Sequence, residues 1–124
     1  MKRLGPSDPQ TIKAAFNLVI NLSNDEQYPK AKNIICETDL ISIFHRTYGA
    51  DNVYTFQARG IFAETLINSD GATSKDLREA VDILEDATRR ARRVLGKSHP
   101  EYRAYEQRRD FARERLKRML LAGA

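Results

Sequence analysis

A glycine-containing segment recurs three times in the chain, and the spacing of its copies limits the fold more than any other feature. Gly5 and Gly49 are 44 residues apart, and Gly49 and Gly96 are 47 residues apart. In each copy a bulky residue precedes the glycine and a polar residue able to cap a helix follows it. A glycine can adopt the left-handed conformation that ends one helix, and a capping side chain can begin the next. Each copy therefore predicts a joint between two helices, with Asp8 and Asp51 as N-caps.

Apolar residues between these joints recur at three- and four-residue spacing, which is typical of amphipathic helices. Thr73 and Asp76 form a predicted capping box, and small residues such as Gly60 allow neighbouring helices to approach closely. No stretch alternates at a period of two, so we expect no strands. The predicted helices, about five in number, run to about Asn24, from Pro29 to Tyr48, from about Val53 to Ile67, from Thr73 to Leu95, and over about 98–121.

Helical hairpins of this kind cannot bury their apolar faces alone and must stack on their neighbours. The sequence therefore predicts an all-α fold, an α–α solenoid of about two and a half helical hairpins within a single domain, 1–124. Repeat 1 spans about 5–48, repeat 2 spans about 49–95, and the closing helix completes the array.

The segment Leu95-Gly96-Lys97-Ser98-His99-Pro100 ends one predicted helix and begins the next. It resembles the L-G-x-x-H-P joint of the tetratricopeptide repeats (TPR) of the kinesin-light-chain-like type, whose units run to about 42 residues. Tyr48-Gly49 with Thr55 matches the same joint more loosely. The motifs Asn17-Leu18-Val19 and Glu79-Ala80 resemble its two helix signatures.

The resemblance implies a non-catalytic scaffold that binds a peptide or a partner subunit in a groove lined by the first helix of each hairpin. By position, the groove residues would be Lys13, Asn17, Gln57, Ile61 and Arg108. The amide of Asn17 could hold a peptide backbone because it donates and accepts hydrogen bonds at the same time. The alternative is that Asn17 is a solvated helix residue.

Catalytic, metal-binding and cofactor-binding patterns are absent from the sequence. The two histidines, His45 and His99, lie 54 positions apart. We expect His99 to cap or pack at its joint and His45 to lie on the surface near a helix end. Cys36 follows two isoleucines and is interpreted as a small core residue. We therefore expect neither an enzyme nor a cofactor.

Charge is unevenly distributed along the chain, although its formal net charge is only +4. Residues 89–118 hold twelve bases and four acids, a net charge of +8, whereas the remainder carries −4. Three interpretations remain open for this basic segment: a solvated face, a surface for an acidic protein, and a nucleic-acid site. We expect Glu85 to pair with Arg89 along the helix. The basic patch consists of Arg89, Arg90, Arg92, Arg93, Arg109 and Arg113.

The remaining composition favours a soluble, intracellular protein, with a cytoplasmic location as the simplest expectation. A single cysteine excludes an internal disulfide framework. No apolar run approaches the ~20 residues that a membrane span needs, and the first residues lack the apolar stretch of a secretory signal.

The leading functional prediction is a protein–protein interaction scaffold of helical repeats. One alternative is a nucleic-acid-associated accessory protein that uses the basic C-terminal helix. Another is a purely architectural subunit of a larger complex, whose apolar ends meet another chain. Those ends comprise Ile12 and Phe16 on one side, and Leu116, Met119 and Leu120 on the other.

Overall fold

The computed structural model describes residues 9–123, which form helices and turns without any strand. This confirms the all-α prediction. Gly5 and Asp8, which belong to the first predicted joint, lie outside the described residues. The helices are α1 (Pro9–Asn24), α2 (Tyr28–Thr38), α3 (Leu40–Tyr48), α4 (Val53–Asn68), α5 (Ser74–Leu95) and α6 (Pro100–Gly123).

The described residues contain six helices where about five were expected, because the predicted helix from Pro29 to Tyr48 is divided at Asp39. Asp39 has φ 54° and ψ 40°, a left-handed conformation that a continuous right-handed helix cannot contain. The Thr38 hydroxyl donates to the carbonyl of Ile34 at 2.7 Å at the end of α2. Aspartate tolerates the left-handed region better than most residues, so the chain turns here without a glycine.

The later joints have the predicted residues at their centres but differ in detail. Gly49 and Gly96 both have φ +91°, with ψ 164° and 159°, so they end their helices in a positive-φ conformation that favours glycine but is not the left-handed helical one. Asn52, not Asp51, caps α4, because its Oδ1 accepts from the amide of Tyr54 at 2.8 Å. Asp51 instead binds arginines of α5.

Two predicted caps are confirmed. The Thr73 hydroxyl accepts from the amide of Asp76 at 3.1 Å, and the Asp76 carboxylate accepts from the amide of Thr73 at 3.0 Å. Nδ1 of His99 accepts from the amide of Glu101 at 3.1 Å, which places the His99 side chain at the start of α6. Both contacts satisfy amide groups that have no partner within their helices.

Helix α4 lies at the centre of the described structure. It contacts all five other helices, and eight of its sixteen residues are buried. Helix α1 packs on α2, the pair α2 and α3 packs on α4, and α5 packs between α4 and α6. Helices α1 and α6 also contact α4 directly. None of the described helices combines the length and apolar character needed to cross a membrane.

Gly60 allows α4 and α6 to approach closely, as its small size predicted. A Cβ at this position would lie 3.2 Å from Cε1 of Tyr105 and 2.8 Å from Nη1 of Arg108. The Tyr105 ring is buried and packs edge-on against Phe56 at a centroid distance of 6.2 Å. The glycine therefore makes room for both an aromatic ring and a guanidinium.

Three expectations about individual residues are wrong. Cys36 is exposed, because α2 buries the face that carries Ala31 and Ile35. Glu85 does not pair with Arg89; Arg113 of α6 binds it instead. Ile12, assigned to an apolar end that meets another chain, is buried within the chain itself.

Candidate functional site

A groove about 370 Å³ in volume lies where α1, α4 and α6 come together. These helices are separated in the sequence by α2, α3 and α5, so only the tertiary structure brings their side chains into one place. The lining residues are Phe16, Ile20, Ser23, Asn24, Gln57, Ile61, Glu64, Glu101, Ala104, Tyr105 and Arg108.

The groove combines an apolar surface with a polar rim. Phe16, Ile20 and Ile61 are partly buried and supply the apolar surface. On the rim, Nε2 of Gln57 lies 3.4 Å from a carboxylate oxygen of Glu101. The Tyr105 hydroxyl donates to the other oxygen of Glu101 at 2.8 Å. Burial and this hydrogen bond raise the pKa of Tyr105, so the phenol stays protonated and acts as a donor.

Arg108 and Glu64 separate this groove from a neighbouring cavity of about 420 Å³. Nε of Arg108 lies 3.8 Å from a carboxylate oxygen of Glu64, and both residues line the two spaces. The guanidinium also lies over the Tyr105 ring, 5.9 Å from its centroid. The second cavity continues along α4 and α6 toward Phe111, whose side chain is half exposed.

Ser23 contributes a polar group that the groove leaves without a partner. The residue is only 7% exposed, and its hydroxyl oxygen makes no hydrogen bond within the described part of the chain. Buried hydroxyl groups are normally hydrogen-bonded because leaving them unpaired costs free energy. A ligand in the groove could supply the missing partner.

Three of the five predicted groove residues line this site. Gln57 and Ile61 on α4 and Arg108 on α6 are brought together, whereas Lys13 and Asn17 are exposed on α1 and do not line the groove. On α1 the lining residues are Phe16, Ile20, Ser23 and Asn24. These residues, and Glu101 of α6, were not among those predicted from the sequence to line the groove. For the α1 residues, their three- and four-residue spacing is a signal that could have found them.

The predicted basic patch divides into two groups. Arg90 and Arg93 bind Asp51 at 3.0 and 2.9 Å, which connects α5 to the joint before α4. Arg89, Arg92, Arg109 and Arg113 instead surround a separate cavity between α5 and α6.

Asp86 is the centre of an ion-pair network on α5. Its carboxylate accepts from Arg59 of α4 at 2.7 Å, and from Arg89 and Arg90 of its own helix at 2.6 and 2.9 Å. Burial raises the pKa of Asp86, but the hydrogen bonds from Arg59 and Arg90 outweigh it, so this pKa lies below its ordinary value. The hydrogen bond from Arg90 similarly lowers the pKa of Asp51.

Among residues 9–123, no three histidine, cysteine, aspartate or glutamate side chains are grouped so that they could hold a metal ion. Comparisons with models of protein families, with curated proteins and with solved structures gave no match.

Proposed function

We propose that this chain is a non-catalytic protein-interaction scaffold of tetratricopeptide type, similar to the kinesin-light-chain-like repeats, and that it binds a peptide in the groove between α1, α4 and α6. The observation that carries the proposal is the groove itself, with its apolar surface, polar rim and unpartnered Ser23 hydroxyl. An apolar side chain of a peptide would pack on Ile20 and Ile61, while the rim would bind polar groups of its backbone.

The packing of the helices supports this assignment to a repeat fold. In the proposed repeats, α1 and α4 are the first helices of two hairpins and α6 begins a third. Each second element, α2 with α3 or α5, packs on the first helix that follows it. This arrangement leaves one side of α1, α4 and α6 available to a ligand.

The two other hypotheses have less support. Tyr102, which lies beside the basic patch, is buried, so its ring offers no face on which a base could stack. An architectural role through apolar ends is weakened because Leu116 and Met119 pack against the chain's own core. Leu120 is 43% exposed and remains a candidate contact.

A random-peptide display selection against the full chain tests the proposal. The affinity of an enriched peptide would then be measured by fluorescence anisotropy for the wild type, for Ile20→Gln and for Leu18→Gln. Ile20 lines the groove, whereas Leu18 is exposed elsewhere on the same helix, so the second variant is a matched control.

We expect Ile20→Gln to weaken binding about tenfold, as loss of a central apolar contact does, and Leu18→Gln to change it little. Failure to enrich any peptide, or an equal effect of the two substitutions, would contradict the proposal.

A further inference from the structure

A cavity of about 400 Å³ lies between α5 and α6, away from the groove. On α5 the side chains that line it are spaced by three or four residues and form one stripe, which faces a second stripe on α6. The two stripes consist of Glu85, Thr88, Arg89 and Arg92 on α5, and of Tyr102, Arg109 and Arg113 on α6.

The cavity is separate from the groove because the buried face of α6 lies between them. Tyr105 and Ala112 occupy that buried face. Because an α-helix has 3.6 residues per turn, Arg109 and Arg113 lie on one side of this buried face, and Ala104 and Arg108 lie on the other side. No residue lines both the cavity and the groove.

The lining is strongly basic, with four arginines and one glutamate. The guanidinium of Arg92, on an exposed residue, makes no ion pair or hydrogen bond with any described residue. Arg109 binds Asp110 at 3.1 Å, and Arg113 binds Glu85 at 2.6 Å. The carboxylates of these pairs, Asp110 and Glu85, are 62% and 40% exposed, so solvent screens both pairs and a ligand carboxylate can compete for the arginines. A guanidinium can bind a carboxylate through two parallel hydrogen bonds, so these arginines are suited to binding the carboxylates of a ligand.

Thr88 provides an independent indication that a ligand belongs here. The residue lines the cavity, is only 2% exposed, and its hydroxyl oxygen has no hydrogen-bond partner among residues 9–123. The core would lose nothing by having a valine of the same shape at this position. A hydroxyl left unpaired beside four arginines is explained if a bound polar group completes its hydrogen bonding.

We infer that the cavity between α5 and α6 binds an acidic peptide segment, whose carboxylates contact Arg92 and Arg109 and reach toward the Thr88 hydroxyl. A concave basic site favours a peptide over a nucleic acid, because the Tyr102 ring is buried and its hydroxyl donates to Glu106 at 3.0 Å. Single-stranded nucleic acids are commonly held by stacking on exposed aromatic faces, and none lines this cavity. The inference goes beyond the proposed groove and does not depend on it.

The test uses a fluorescein-labelled hexaglutamate peptide and the full chain, with anisotropy measured at low salt. The double variant Arg92→Gln/Arg109→Gln removes two arginines of the cavity. Its matched control, Arg78→Gln/Arg103→Gln, removes the same charge from exposed positions on the same two helices outside the cavity. We expect the first pair to weaken binding at least about tenfold and the control pair to weaken it only slightly through the changed net charge.

Two further measurements make the test specific. Thr88→Val should weaken hexaglutamate binding several-fold without lowering the melting temperature, and a hexauridylate RNA should not displace the peptide. Ile20→Gln should leave this affinity unchanged, so that the groove and the cavity are tested separately. Absence of hexaglutamate binding, equal effects of the two arginine pairs, unchanged affinity of Thr88→Val, or efficient displacement by the RNA would each overturn the inference.

Discussion

At the scale of single residues, the joint between α3 and α4 depends on one buried hydroxyl. The side chain of Thr55 is fully buried, and its Oγ1 lies 2.7 Å from the carbonyl oxygen of Gly49 and 3.2 Å from that of Phe44. The hydroxyl has one proton, which it donates to the nearer carbonyl, that of Gly49, just beyond the end of α3. This gives a physical role to a threonine that the sequence marked only as part of a joint motif.

Thr55 and Thr88 form a natural pair for a stability experiment, because both are buried but only Thr55 is hydrogen-bonded. Thr55→Val should lower the free energy of unfolding by about 1–3 kcal/mol, since it removes the hydrogen bond to the Gly49 carbonyl. Thr88→Val should leave it unchanged or raise it. Urea denaturation followed by circular dichroism would measure both free energies, and a larger loss for Thr88→Val than for Thr55→Val would contradict this difference in hydrogen bonding.

At the scale of helices, the break between α2 and α3 decides which faces pack on α4. Ile35 of α2 and Ile43 and Phe44 of α3 all enter the same core cluster with Ala58 of α4. In a continuous straight helix, Ile43 and Phe44 would not both lie on the face that carries Ile35. The turn at Asp39 changes the direction of the chain, so that α3 also packs on α4. The buried residues Ile35 and Leu40 are five residues apart, so the three- and four-residue spacing is interrupted at this turn. This interruption is the signal in the sequence that could have predicted the break.

Substitutions at Asp39 test whether the helix is broken. Because Asp39 has positive φ, Asp39→Gly should stabilise the protein by about 0.5–1 kcal/mol, and Asp39→Ala should destabilise it. In a continuous helix the order would be the opposite, because alanine favours helices over glycine by about 1 kcal/mol. Melting temperatures of the two variants, compared with that of the wild type, distinguish these structures.

The ion-pair network around Asp86 connects α4 and α5, and its contribution to folding stability should depend on pH. The pKa of Asp86 in the folded chain is lower than in the unfolded chain, so its stabilising effect is present above the ordinary carboxyl pKa and is lost on acidification. Asp86→Asn should lower the free energy of unfolding by about 1 kcal/mol near pH 7, because three arginines lose the negative charge that they share.

Asp82→Asn is the control for this prediction, since Asp82 lies one turn earlier on α5, is exposed, and forms no ion pair among the described residues. The difference in the free energy of unfolding between the wild type and Asp86→Asn should become smaller as the pH falls below about 4, the ordinary pKa of a carboxyl group. Urea denaturation at pH 7 and pH 3 would measure it. A difference that stayed constant with pH would show that the carboxylate charge is not what stabilises the network.

At the scale of the whole molecule, α4 joins the three clusters of the hydrophobic core. Ala58 belongs to the first cluster, Ala63 and Leu66 belong to the second, and Phe56 belongs to the third. No cluster can therefore lose its packing without disturbing the helix that supports the others. The same helix supplies Ile61 to the apolar surface of the groove and Gln57 to its polar rim.

This arrangement predicts that the chain unfolds in one cooperative step. Far-ultraviolet circular dichroism reports all helices, whereas tyrosine fluorescence reports the surroundings of the five tyrosines, of which Tyr102 and Tyr105 are buried. The urea midpoints of the two signals should coincide. Separate midpoints would mean that the region of α1 to α3 unfolds independently of α5 and α6.

The sequence by itself determined the helical class, most helix ends and two of the caps, because these depend on neighbouring residues. The positive φ of Gly49 and Gly96 and the Thr73–Asp76 capping box are examples. Only the tertiary structure decided which distant side chains meet. It divided the basic patch, placed Ser23 and Glu101 beside Gln57, Ile61 and Arg108, and opened the cavity beside Thr88. Those contacts depend on how α1, α5 and α6 are positioned around α4, which local spacing along one helix cannot encode.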